Sequence, residues 1–308
     1  AMLKRVAPLV DSSTSTEATQ LAIHQGLGSL FGQFGESAKA LDQFQRAETI
    51  ARERVVIKQG SDASRSNLAR VLRDLGGASQ EVNRDMRVSL KYYDEVLRVR
   101  QGILDQPNAG DGNAAVPILV KKDLSEVHTR VAATIYRLGN PAASVEHFRK
   151  AFELRRELVE AMTTDAVLKG LPPREKIALR QDFARSKLSM GEMSFRLRDP
   201  ATAVRLYGEG VEDFEQLHRE RPSLRSKHEL GRTHGNFGDI RLHIEGPGAA
   251  LPHYERCRSL LQELADLDPN EAPYQRDLGL ARYRLGNYSL RLNDPSAAAE
   301  HFRASLKI

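Results

Sequence analysis

The 308-residue sequence predicts an all-α protein, built as an array of about six helix–turn–helix units. Three observations predict it: a small–aromatic–small spacing that recurs six times, a fixed distance from each aromatic back to a further small residue, and turn signals between the two. The stretch YRLGNPAASVEHFRKAFELRR from Tyr136 carries all three. FRLRDPATAVRLYGEGV from Phe195 and LRLNDPSAAAEHFRASLKI from Leu290 repeat it, changing mainly the charged residues.

The first spacing places a small residue four before a Phe or Tyr and another three after it. It occurs at Ala40/Phe44/Ala47, Ser89/Tyr93/Val96 (small at one end only), Ser144/Phe148/Ala151, Ala203/Tyr207/Gly210, Ala250/Tyr254/Cys257 and Ala298/Phe302/Ser305. Steps of four and three put all three side chains on one helical face. Sixteen residues before the ring stand Gly28, Ala132, Gly191, Gly238 and Gly286, each after an apolar residue. The second unit departs: Ala69 precedes Tyr93 by twenty-four, which places an enlarged turn at GGASQEVNRD. A constant distance between two small contact points is what an antiparallel helix pair joined by a tight turn requires. Asn140-Pro141, Asp199-Pro200 and Asp294-Pro295 each read as an N-cap followed by Pro at the first helical position.

Composition fits this class. Hydrophobic content of 40% and charged content of 28% suit an ordered, helix-rich chain. The 46 basic and 41 acidic residues form no block of like charge, so the net charge of +5 describes an ion-paired solvent face. Cys257 is the one cysteine, so no disulfide forms within a chain. The uncharged apolar run Gly112–Val120 is far short of the roughly 20 residues that span a bilayer. The opening AM reads as a cloning remnant, and the last residues stop inside a helical pattern, as in a region excised from a longer protein. The cytoplasm is the default expectation, unless the parent is membrane-anchored.

LGSLF at 27–31 followed by ALDQF at 40–44 resembles the tetratricopeptide repeat, with its L-G-x2-Y and A-x3-F elements. Six units cover residues 17–60, 61–106, 118–163, 173–221, 224–268 and 271–308, treated as one solenoid, with residues 1–16 as a tether or partial cap. The aromatics are 49, 55, 59, 47 and 48 apart rather than about 34. The second helix of each pair is therefore expected to run long, as EHFRKAFELRRELVEAM suggests, with Val145, Phe148, Phe152, Val159 and Met162 near one stripe. Longer linkers are expected at DQPNAGDGNAAVP and TTDAVLKGLPP. LADLDPNEAPYQRDLGLARYRLGNY is similar to long-period repeats attached to large bacterial signalling proteins, including serine/threonine kinases, although no kinase motif is present.

His218, His228, His234, His243 and His253 fall close together, but no two stand one helical turn apart, so a zinc set is disfavoured. His147 and His301 sit just before a repeat aromatic, as parts of the module. QGLGSLFG at 25–32 lacks the preceding strand that a phosphate loop needs. Cys257 fills a small-residue slot as a buried thiol. No catalytic constellation converges, and no cofactor or metal is expected.

The resemblance implies a right-handed superhelix whose concave groove is lined by first-helix residues. Carried over unit by unit, that rule selects Ser66, Arg70 and Arg73; Thr129, Tyr136 and Arg137; Arg185, Glu192 and Arg196; Arg232, Asp239 and His243; and Tyr283, Asn287 and Arg291. The proposed partner-binding set is Arg70, Arg73, Tyr136, Arg137, Arg185, Arg196, Arg232, Tyr283, Asn287 and Arg291. Arginine forks suit carboxylates, so the expected function is a non-catalytic scaffold for a protein or peptide, with acidic segments favoured. A chaperone-tail clamp is disfavoured, because Gln25 and Ser29 stand where that family places Lys and Asn. A self-assembling array is the alternative, and homo-oligomers are compatible with it. Nucleic-acid binding is disfavoured by the near-balanced charge.

Overall fold

The computed structural model describes residues 16–82, 86–106 and 116–307, and every regular element among them is helical. The chain divides into two compact units, the first ending at Lys169 and the second opening at Gly170. The first contains α1 (Glu17–Gln33), α2 (Ser37–Ile57), α3 (Asp62–Val82), α4 (Met86–Asp105), α5 (Val116–Arg137) and α6 (Pro141–Glu160). A 3-10 turn at Ala161–Thr163 and the short α7 (Ala166–Lys169) close it. The second contains α8 (Pro173–Arg196), α9 (Pro200–Glu220), α10 (Leu224–Ile244), α11 (Pro247–Leu267), α12 (Ala272–Arg291) and α13 (Pro295–Leu306). The helices pack as successive pairs, three in each unit. The expected tether lies outside the described residues except for Thr16, whose hydroxyl caps α1 at Thr19 N. The first expected linker, at DQPNAGDGNAAVP, lies largely outside them too.

Each pair closes on the expected contact. A Cβ placed on Gly28 would come within 2.5 Å of the Phe44 ring, and one on Gly238 within 2.6 Å of the Tyr254 ring. Gly286 meets Phe302 in the same way, and Gly191 meets Tyr207 at 3.1 Å. The ring occupies the volume a side chain would need, and the two helix axes approach accordingly. Tyr93 and Tyr254 are each only 1% exposed. The flanking small residues are buried too, from Ala40 and Ala47 to Ala250 and Cys257.

Three expectations need correction. In the second pair the ring rests on Gly76, seventeen residues before Tyr93, and not on Ala69. The segment expected as an enlarged turn continues α3 to Val82, because the Gly-Gly pair there serves packing inside a helix. The buried stripe of α6 is Ser144, Ala151 and Leu158, not the expected set around Phe148, and Phe148 is half-buried, as is Phe302. Phe148 and Phe152 flank that stripe and retain solvent contact on one side. The long period is also shared: α3, α5, α8 and α10 have 21, 22, 24 and 21 residues, as long as the second helices.

The turns follow one plan. Asn140, Asp199 and Asp294 accept from Ala143 N at 3.0 Å, Thr202 N at 3.1 Å and Ala297 N at 2.9 Å, each ahead of a proline in the first turn. The residue before each cap is left-handed: Gly139 at φ +84°, Arg198 at +61° and Asn293 at +57°. Glycine adopts this conformation freely, whereas arginine is strained there by about 1–2 kcal/mol.

Within α1, Gly26 faces open space while Gly28 faces the Phe44 ring. Gly26→Ala should raise stability by up to about 1 kcal/mol through helix propensity. Gly28→Ala should lower it, since overpacking costs about 1–3 kcal/mol and outweighs that gain. Tyr254→Ala should cost about 3–5 kcal/mol. Arg198→Gly should gain up to about 1 kcal/mol by removing the strained backbone. Urea unfolding of the full chain followed by circular dichroism reads all four.

Candidate peptide-binding face

Seating a ring of the second helix against the first commits one face of the first helix to the seam. The opposite face of the first helices carries the polar residues singled out above. In the first unit, Arg73 lies 3.5 Å from Glu126 and 3.7 Å from Asp123, both on α5. Buried Arg100 on α4 donates to Ser66 Oγ at 2.9 Å and pairs with Asp123. Arg137 Nη1 donates to Gln80 Oε1 at 3.4 Å, and Arg70 donates to Asn67 Oδ1 at 2.6 Å. Tyr136 is half-buried and Thr129 donates to its own helix at Ser125 O.

In the second unit the pairing runs between successive first helices. Arg185 on α8 grips Glu229 on α10 with Nε at 2.7 Å and Nη2 at 3.0 Å, while Nη1 donates to Asp182 at 3.0 Å. Arg232 Nε on α10 lies 3.5 Å from Asp277 on α12. The Asp277 side chain, 7% exposed, also accepts from Arg276 and pairs with His228 Nε2, each at 2.9 Å. Burial raises the Asp277 carboxyl, but Arg276, Arg232 and His228 outweigh it and hold the group below its ordinary range. Arg284 on α12 reaches back to Asp239 at 2.9 Å and to Asn236 at 2.7 Å. The predicted arginines are thus partly spent on joining neighbouring pairs: Arg73 and Arg185 are ion-paired across helices, and Arg196 pairs with Glu192 on its own helix.

What this arrangement leaves open is a polar cleft of about 400 Å³ between α8 and α10. Arg185, Glu229 and Thr233 line one part of it, and Arg225, His228, Arg232 and Asn236 the rest. Glu229 is occupied by Arg185, so Arg225 and Arg232 are the cations facing solvent; the Arg232 side chain is 60% exposed. Arg185 and Arg232 are therefore brought to one site, and Arg225, His228 and Asn236 join them. Those three were missed, although 225, 228, 232 and 236 step by three and four along RSKHELGRTHGN and share a helical face. Tyr283 belongs to a second cleft, of about 690 Å³, lined by Gly279, Leu280 and Ser305 at the α12–α13 pair. Asn287 is half-buried, and Arg291 is exposed in the last turn of α12.

The five clustered histidines each have a partner. His218 bonds Ser226 Oγ at 2.7 Å, beside the α10 capping box, and His243 bonds its own backbone at Asp239 O. His234 and His253 meet each other through their Nδ1 atoms. Cys257 is buried, and burial pushes its thiol up to about 11, away from nucleophilic chemistry. Among the described residues no cluster of three metal-ligating side chains occurs, and no helix is long and apolar enough to cross a membrane.

No family model matches the sequence, and no curated protein matches it significantly. Solved structures match in fold. BtubC (BKLC) from P. vanneervenii is similar with a TM-score of 0.61 and 16% identity, over 87% of this chain and 88% of that one. The S. pombe nuclear import adaptor Nro1 is similar with a TM-score of 0.55 and 12% identity, over 94% and 95%. RapI in its apo form is similar with a TM-score of 0.54 and 10% identity, over 98% and 88%. At such identities the likeness concerns the fold. Taken with the ring-on-glycine helix pairs, it shows an all-α helical-repeat fold of tetratricopeptide type.

Proposed function

We propose that the chain is a non-catalytic protein-interaction scaffold, and that the α8–α10 cleft receives an acidic side chain or terminal carboxylate of a peptide segment. The carrying observation is the cleft's charge arrangement. Glu229 is already satisfied by a bidentate arginine, Asp277 is buried behind Arg232, and Arg225 and Arg232 face solvent. Asp277 holds the Arg232 guanidinium, so less side-chain freedom is lost when an anion binds. Asn236, whose carbonyl is held by Arg284 and whose amide also meets the Tyr207 hydroxyl, keeps one N–H for a backbone carbonyl of the same segment. The fold is similar to that of a nuclear import adaptor, which supports an adaptor-like reading.

A displayed random-peptide library selected against the full chain tests this. Enriched peptides should carry Asp or Glu, or a free carboxyl end, and their affinity should fall as salt rises. Arg225→Gln with Arg232→Gln should weaken the best peptide by roughly tenfold or more, with helicity unchanged because both positions are exposed and Arg276 and His228 still hold Asp277. Enrichment of basic or purely apolar peptides, or unchanged affinity in the double variant, would overturn the assignment.

A further inference from the structure

The seam of each helix pair has a recurring polar slot, formed by the residue twenty before the ring and the residue one before it. In the first pair it holds His24 and Gln43, with His24 Nδ1 at 2.8 Å from Gln43 Oε1. In the third pair it holds His128 and His147, with their Nδ1 atoms 2.9 Å apart. In the fifth it holds His234 and His253, with Nδ1 atoms 3.1 Å apart and rings stacked at 5.4 Å. The same juxtaposition in two separate units makes it a feature of the slot. Two donors alone make no metal set, and no third ligand joins either pair among the described residues.

We propose that the two histidine pairs are acid-sensitive latches: protonation loosens the α5–α6 and α10–α11 seams, while the His24–Gln43 seam of α1–α2 stays closed.

The geometry explains the difference. Two neutral imidazoles hold together when one Nδ1–H donates to the other Nδ1. A first proton keeps that bond but leaves a buried charge, and a second sets two N–H groups face to face. Gln43 Oε1, in contrast, accepts from His24 whether or not the ring is charged. His234 is 4% exposed, and the Phe237 ring lies 4.6 Å from that of His253. The charges facing the fifth-pair latch are Arg256 on α11, Arg241 and Glu245 on and just after α10, and Glu215 on α9. Arg241 Nη1 donates to His253 Nε2 at 3.5 Å, so Nδ1–H of His253 faces His234. Glu215 Oε1 lies 3.3 Å from His234 Nε2 but off the line of a hydrogen bond. The third-pair latch faces Lys150 and Glu146 on α6 and Asp94 on α4. Burial, then neighbouring imidazole and cationic charge, lowers His128 and His253 to about 4. Burial and Arg256 do the same for His234, and burial and Lys150 lower His147.

The unfolded chain takes up these protons near 6.5 and the folded chain resists them, so stability is full above that pH and is lost as pH falls toward about 4. Near pH 5, one such imidazole shifts the folding equilibrium by about 30-fold. His147→Gln and His253→Gln recreate the first pair's arrangement. In the doubly substituted full chain, thermal unfolding between pH 7 and pH 5 should lose most of the wild-type acid slope. Hydrogen exchange of the wild type at acid pH, corrected for intrinsic rates, should show α5, α6, α10 and α11 opening before α1 and α2. An unchanged slope in the double variant would overturn the proposal. If that variant does not fold, the wild-type exchange order and an imidazole NMR titration decide: ordinary titration near 6.5 at His128, His234 and His253 in the folded chain overturns it.

Discussion

An aromatic ring pressed into the space where a helix has no side chain is the contact on which everything else depends. Gly28, Gly76, Gly238 and Gly286 bring two backbones close enough for the ring of the second helix to touch the backbone of the first. That approach fixes which face of each first helix is lost to the seam and which is left for solvent. It also fixes the separation between helix pairs: in the second unit it allows Arg185 to reach Glu229 and Arg284 to reach Asp239. A bulkier residue at the glycine would move the ring, and with it the register of every cross-pair ion pair. The cost of glycine in a helix, about 1 kcal/mol, is small against burial of a whole tyrosine.

The seams were legible in the sequence because they obey two strict spacings, and both spacings come from one steric requirement. The caps at Asn140, Asp199 and Asp294 were legible for a similar reason, since capping is a local matter of three residues. The second pair misled because Gly76 and Gly77 look like a turn when read by composition alone. Tertiary contact with Tyr93 decides otherwise, and a distance one residue longer than the rule was enough to hide it. Burial of Phe148 and Phe302 depends on what the neighbouring pair supplies, which no local pattern encodes.

The candidate site was less legible, again for a physical reason. Periodicity identifies a face, but it does not say which charges on that face satisfy one another. Arg185 and Arg232 look equivalent in sequence, and their neighbours make one a staple and leave the other open. The histidines show the same limit from the opposite side. A search for ligands one turn apart on a single helix passes over His128 with His147 and His234 with His253, which stand nineteen residues apart and meet across a seam. Reading each residue by its distance from the repeat aromatic would have aligned them.

That alignment exposes how the repeat accommodates polar groups beside its core. The slot next to the ring is His–Gln in the first pair and His–His in the third and fifth. In the second pair, where the ring rests one residue further back, Leu72 and Tyr92 stand at the slot. In the fourth, Lys187 stretches to Asp213 at 2.8 Å on the second helix and lies over the Phe183 ring. In the sixth, Arg282 donates to Ala304 O and to Gln262 Oε1, each at 2.8 Å. A buried polar atom requires a partner, and the seam brings the two positions close enough that almost any complementary pair satisfies the requirement. The ring and its glycine tolerate little change, whereas the adjacent slot accepts neutral, cationic or titratable solutions. Chemical differences between the pairs therefore accumulate at the slot without disturbing the helix packing, and the two imidazole pairs are the version whose closure depends on protons.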